Sequence, residues 1–267
     1  MKQYYFISGL PRSGSTLLSA ILRQNPEFYA DIGSPIEEII RHTIGTIGAY
    51  EGRCTFSETR RIKLLHSIFD GYYDHINKSV IFDSCRKWTS KTSLLKSLFP
   101  NTKILCTVRD IASILNSFEM IHSKNPYDTY LLAENTKSVF SRCDDMMDHN
   151  GGIVAEPWIF LQEGYALNPE MIYLIEYEDL CKYPEETMKK IYEFIDKPYF
   201  NHDFENVEYS NKDFDKLLSL NDLHTVRKKV EYKPTKFRIP PEVIKKYNQM
   251  EFWREDNKNP IENFKYN

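Results

Sequence analysis

Gly9, Arg12, Gly14, Ser15 and Thr16 fall inside the single stretch Ser8-Gly9-Leu10-Pro11-Arg12-Ser13-Gly14-Ser15-Thr16-Leu17. The two glycines and the paired hydroxyls match the nucleotide-binding loop GxxxxGK[ST], except that Ser15 stands where the lysine belongs. In an NTPase that lysine reaches the β- and γ-phosphates, and the following hydroxyl holds magnesium against a heavily charged triphosphate. The backbone N–H groups of such a loop, and the helix start behind it, suit any phosphate-like anion. With the lysine gone, Arg12 is the cation inside the loop. Its planar fork fits a terminal group carrying less charge than a triphosphate.

Four other segments combine basic, hydroxyl or aromatic residues in compact patterns. They are Phe82-Asp83-Ser84-Cys85-Arg86-Lys87-Trp88, Val108-Arg109-Asp110 with Ser117 eight residues beyond Arg109, Tyr173 to Leu180 with Tyr177 near its middle, and Leu223-His224-Thr225-Val226-Arg227-Lys228-Lys229. Together with the loop, they make the chain resemble the sulfotransferases that use 3'-phosphoadenosine 5'-phosphosulfate (PAPS). A sulfuryl group carries one negative charge in its donor. It calls for hydrogen bonds and a cation more than for a metal.

The resemblance implies a 5'-phosphosulfate loop over Pro11, Arg12, Ser13, Gly14, Ser15, Thr16 and Leu17. It implies a grip on the 3'-phosphate by Arg109 and Ser117, Tyr177 beside the adenosine, and Arg227, Lys228 and Lys229 on a flap that folds over the nucleotide. Arg86 would stabilise the bridging oxygen as the bond to sulfur breaks, and Arg12 would stabilise the moving group. PAPS would be the donor and 3',5'-adenosine bisphosphate (PAP) the product, with no metal required. Plainer roles stay open for the same residues: a helix start for Arg109-Asp110, a core position for Tyr177, a surface turn for Arg86 and a solvated face for Lys228.

Attack by a hydroxyl on sulfur needs a base. Tyrosylprotein sulfotransferases carry a catalytic glutamate in the place occupied here by residues 25–38, which makes Asp31 and Glu38 the catalytic acids of choice, with Glu37 competing. Glu37 and Glu38 equally suit the first turn of a helix. The histidine base of small-molecule sulfotransferases has no counterpart motif, and His42 sits in a helical pattern with Ile39 and Ile40.

Positioning these residues requires alternating strands and helices. Tyr4 to Ser8, Ser79 to Asp83, Lys103 to Val108 and Met171 to Glu176 read as short buried strands. Helical patterns follow them at Thr16 to Gln24, Thr92 to Phe99, Ile111 to His122 and Glu185 to Ile195. The expected architecture is α/β: a three-layer fold like that of P-loop NTPases, with a central parallel sheet flanked by helices. Ligands in such sheets bind beyond the carboxyl ends of the strands, which picks out Leu10 to Thr16, Ser84 to Lys87, Arg109 to Asp110 and Tyr177 to Asp179. The pattern reads as helical over about Pro35 to His75 and again over Asp128 to Met147.

The length of 267 residues, without a Pro/Gly/Ser-rich divider, predicts one domain over 1–267, with 200–240 as a cofactor-covering flap. A net charge of -3 argues against a general affinity for nucleic acid. The first strand starts too early for a signal sequence, no apolar run approaches a membrane span, and five cysteines without CxxC spacing read as reduced thiols. A cytoplasmic location is therefore expected. The acceptor is a hydroxyl-bearing small molecule, a glycan or a peptide tyrosine, and the oligomeric state is silent. Rival readings are a P-loop small-molecule kinase and a non-catalytic nucleotide-binding protein.

Overall fold

The structure is a computed structural model that describes residues 2–124, 138–207, 209, 226 and 228–257. Five parallel strands form its sheet: β1 (Gln3–Gly9), β2 (Phe28–Ala30), β3 (Val80–Ser84), β4 (Ile104–Val108) and β5 (Ile172–Glu176), in the order β2-β3-β1-β4-β5. The four strands read from sequence match β1, β3, β4 and β5 to within one residue at each end. β2 was not expected: at three residues it is too short to leave a pattern.

Alternation along the strands builds three layers. Tyr4 and Phe6 of β1 enter one core, and Tyr5 and Ile7 enter the other. α1 (Ser15–Leu22) and α10 (Pro184–Phe194) cover the second face through Leu18, Ile21, Met188 and Ile191. α2 (Ile36–Gly48), α4 (Glu58–Tyr72), α5 (Thr92–Leu98), α6 (Ile111–Lys124) and α8 (Ala155–Leu167) cover the first. Smaller helices complete the chain: α3 (Tyr50–Thr55), α7 (Val139–Met146), α9 (Tyr177–Lys182) and α11 (Pro241–Tyr247).

The stretch read as helical over 35–75 is three helices. Ala49 and Phe56 are extended at the two breaks, and the Ser57 hydroxyl accepts the Arg60 N–H to start α4. In the second such stretch only α7 lies within the described residues. Cys106 is buried in β4 and its thiol is pushed up by burial, as befits a core residue. Cys54, Cys85, Cys106 and Cys143 are free thiols. Among the described residues no helix is long and apolar enough to cross a membrane.

His202 is buried after α10, beside the Tyr192 hydroxyl at 3.1 Å, and burial pushes its pKa down to about 4 from 6.5. Above pH 6.5 the ring is neutral in both the folded and the unfolded chain, so it contributes no pH dependence there. Below that, the unfolded chain takes the proton more readily, and stability falls as pH drops from 6.5 towards 4. We expect a loss of up to about 3 kcal/mol across that window. His202→Phe should flatten the corresponding limb of urea-unfolding stability measured against pH.

Candidate active site

β1 occupies the middle of the sheet, with β3 on one side and β4 on the other, so the loop after it opens at the point where strand order reverses. Two backbone positions there admit only glycine. Gly9 has φ 106°, and a Cβ would lie 2.2 Å from the Thr107 carbonyl oxygen. Gly14 has φ 98°, and its Cβ would lie 2.9 Å from Tyr177 Cδ2. Arg12 between them is also left-handed, at φ 57°. α1 begins at Ser15 with no side chain capping its N-terminus and no acid in its first turn, leaving its amides for an anion.

A cavity of 710 Å³ opens over this turn. Among the described residues five cations line it, Arg12, Arg86, Lys87, Arg109 and Lys229, against two acids, Glu156 and Glu231. The chain as a whole carries -3, so the basic lining is a local feature and not a reflection of composition.

Four of the residues singled out from sequence meet directly. Arg12 Nε donates to Ser117 Oγ at 3.2 Å, and Arg109 donates through Nη1 to the Arg12 carbonyl at 3.3 Å. The Arg109 guanidinium lies 4.3 Å from the centroid of the Tyr177 ring, and its Nη2 donates to Thr235 Oγ1 at 3.1 Å. β4 and β5 end side by side, which puts Arg109 and Tyr177 next to each other beneath the loop. Thr235 had no sequence signal. It is brought in by residues 235–238, which α6 holds through Ser113 Oγ to Thr235 Oγ1 at 3.2 Å, Asn116 Nδ2 to the Lys236 carbonyl at 3.2 Å, and the Arg238 N–H to Asn116 Oδ1 at 2.7 Å.

Gly14, Ser15, Thr16 and Leu17 line the cavity with Arg12; Pro11 and Ser13 are buried and do not. Ser13 Oγ lies 2.5 Å from the Leu10 carbonyl and 2.7 Å from Thr107 Oγ1, so its hydroxyl fastens the loop to β4. In the flap, Lys229 lines the cavity and pairs with Glu205 at 2.8 Å. Lys228 is exposed on a separate depression beside Arg23 and Asn206, and Arg227 lies outside the described residues.

Asp83 explains the segment after β3. Its buried carboxylate accepts from Ser34 Oγ at 2.6 Å, Tyr73 Oη at 2.7 Å and Trp88 Nε1 at 2.6 Å, which pins both ends of the turn that carries Arg86. Burial raises the Asp83 pKa, and the three donors oppose that rise. Arg86 meets solvent within the cavity while protein surrounds it, and the loss of bulk water draws its pKa below the ordinary value. Among the described residues no carboxylate lies within ion-pair distance of it. A cation on the cavity wall with no acid beside it suits an arriving anion. Cys85 next to it is held as a thiol, pushed up to about 11 by burial.

Neither catalytic acid expected from sequence reaches the cavity. Glu38 is exposed on the opposite side of α2, paired with Arg41 at 3.3 Å, and lines a separate shallow depression. Asp31 accepts from Tyr209 Oη at 2.8 Å, from the Ile32 N–H at 2.8 Å and from Tyr29 Oη at 3.3 Å, so it ties β2 to Tyr209. Glu37 is buried and helps to raise the Cys85 thiol. Glu156, which sequence reasoning passed over, faces the cavity from the first turn of α8.

Comparison with known proteins agrees with this geometry. The chain is 25% identical over 225 residues to a protein-tyrosine sulfotransferase of Drosophila melanogaster, covering 78% of this chain and 40% of that protein. It is 26% identical over 209 residues to protein-tyrosine sulfotransferase A of Caenorhabditis elegans, covering 73% and 50%. It thus spans half or less of the length of these relatives. The sulfotransferase domain from the curacin biosynthetic pathway shares the fold, with a TM-score of 0.51 at 18% identity over 75% of this chain and 76% of that one. The Sulfotransferase family profile matches residues 5–201, and the chain belongs to that family.

Proposed function

We propose that the protein transfers a sulfuryl group from PAPS to an acceptor hydroxyl, releasing PAP. The observation that carries this reading is the basic cavity over the β1–α1 turn, where Arg12 replaces the lysine of an NTPase and Arg86 waits without an acid. In this reading the amides of Gly14, Ser15 and Thr16 and the fork of Arg12 hold the 5'-phosphosulfate, with Leu17 beneath. Arg109 and Ser117 take the 3'-phosphate, the Tyr177 ring lies by the adenosine, and Lys229 covers it with Arg227, while Lys228 faces the separate depression. Pro11 and Ser13 shape the loop from behind. Arg86, on the β3 side, steadies the bridging oxygen as charge gathers on the leaving phosphate.

The positively charged side chains supply the neutralisation that magnesium gives an NTPase, so the reaction is proposed to proceed without a metal. The absent lysine at position 15 and the family membership weigh against the kinase alternative. The tyrosine sulfotransferase relatives support a peptide tyrosine as one acceptor, beside glycans and small alcohols or phenols. The free thiols of Cys54, Cys85, Cys106 and Cys143 fit a reducing compartment, and we propose the cytoplasm. Residues 1–267 are proposed to form one domain with the 200–240 segment as its flap.

The test is nucleotide preference by calorimetry in the presence of a chelator. Wild type should bind PAP at least about 100-fold more tightly than 5'-AMP, a difference of about 3 kcal/mol for a charge-assisted pair. Arg109→Ala should bring the two within about threefold. A preference that survives the substitution would place the 3'-phosphate elsewhere.

A further inference from the structure

The acceptor half of the cavity holds one acid with no other engagement. This half is formed by the ends of β2 and β3, by Phe118 and by the turn into α8, opposite Arg109, Tyr177 and the flap. Its lining combines Ile32, Ile153 and Pro157 with Ser34 and Ser84. Of the two acids that line the cavity among the described residues, Glu231 belongs to the flap and pairs with Lys233 at 2.5 Å. Glu156 is half-buried, and no Lys, Arg or His lies within ion-pair distance among the described residues. Among the described residues no histidine lines the cavity, and burial pushes the Cys85 thiol up to about 11.

The position of Glu156 is also rigid relative to Arg86. α8 packs against the turn Trp88–Lys91 that follows Arg86 and Lys87, so closely that a Cβ on Gly164 would lie 2.3 Å from the Thr89 carbonyl oxygen. Trp158 Nε1 donates to the Met250 carbonyl at 2.9 Å, and the Glu156 N–H donates to the Gly152 carbonyl at 2.9 Å. A carboxylate held on a helix and lining the same cavity as Arg86 is available to the partner that gives up a proton there.

We propose that Glu156 is the general base, accepting the acceptor's hydroxyl proton as its oxygen attacks sulfur. The new O–S bond forms while the bond from sulfur to the 5'-phosphate oxygen breaks. The electron pair of that bond leaves on the phosphate of PAP, and the proton resides on Glu156 until solvent removes it. This assignment rests on the donor reading given above. It gives the acid role to a residue on α8 and leaves Asp31 and Glu38 structural.

The test uses the full chain with 35S-labelled PAPS and the fastest acceptor among N-acetyltyrosine amide, 4-nitrophenol, glucose and water. Glu156→Gln should slow transfer about 100-fold while binding PAP like wild type, and Glu156→Asp should recover part of the rate. Transfer by wild type should fall as the medium is acidified, with a unit slope that vanishes in Glu156→Gln; a merely structural side chain would leave that slope in place. Unchanged transfer by Glu156→Gln with normal PAP binding overturns Glu156 alone. Loss of PAP binding in that variant also overturns it, by making the residue part of the donor site. Failure of wild type to bind PAP takes down the donor reading and this assignment together.

Discussion

Arg12→Ala should lower kcat/KM for PAPS by about 10³-fold, equivalent to about 4 kcal/mol of transition-state stabilisation. Three features of the site lead to that size. The side chain is the only cation inside the β1–α1 turn, where an NTPase has its lysine. Its Nε is already oriented by Ser117 Oγ at 3.2 Å, so little ordering remains to be done when an anion arrives. The cavity around it removes much of the competing water, where a charge-assisted pair is worth most. Both Arg and Ala must adopt the same left-handed backbone at position 12, and the Arg109 bond goes to the position 12 carbonyl, so the fold of the loop should survive. Arg12→Lys keeps the charge and loses the fork, and should fall between the two. Steady-state kinetics over a range of PAPS concentrations reads the effect directly. Donor use within threefold of wild type would remove Arg12 from the site.

Arg86→Ala should separate binding from chemistry. The guanidinium stands on the β3 side of the loop, unpaired and drawn below its ordinary pKa by its surroundings, a costly state that an arriving negative charge relieves. If that charge is the one that develops on the bridging oxygen, the benefit comes mainly in the transition state. We expect kcat to fall about 10²- to 10³-fold, while PAP affinity stays within about threefold of wild type. The turn itself is held by Asp83 through Trp88 and Ser34 and not by Arg86, so the substitution should leave the local structure intact. A large loss of PAP affinity with kcat preserved would mean that Arg86 grips the resting nucleotide instead.

The donor half was legible in the sequence because it is local. Gly9, Gly14 and the hydroxyls that follow are consecutive, and short apolar strands between polar turns place Arg109 and Tyr177 at strand ends without further information. The acceptor half depends on direction, which residue types do not carry. Neighbouring residues on a helix point about 100° apart. Glu37 is therefore buried and Glu38 exposed, and neither lines the cavity that both seemed placed to serve. Asp31 lies at the end of a strand too short to detect, so its capture by Tyr209, 178 residues away in sequence, had no local sign. Glu156 sits at the start of a mostly apolar helix, where an acid reads as an ordinary first-turn residue. Only the packing of α8 against the turn after Arg86 brings it to the site. Asp83 lay inside a recognised segment, yet its three partners come from separate elements and required the fold to be known.

Titration of the wild-type protein with PAP in a calorimeter, in buffer containing EDTA, tests the central claim most directly. Saturable one-to-one binding that is unaffected by the chelator, tighter than ATP, and abolished together with donor turnover when Arg12 and Arg109 are both replaced by alanine, is the predicted result. No heat of binding for PAP, or binding that appears only with magnesium and favours ATP, contradicts the account.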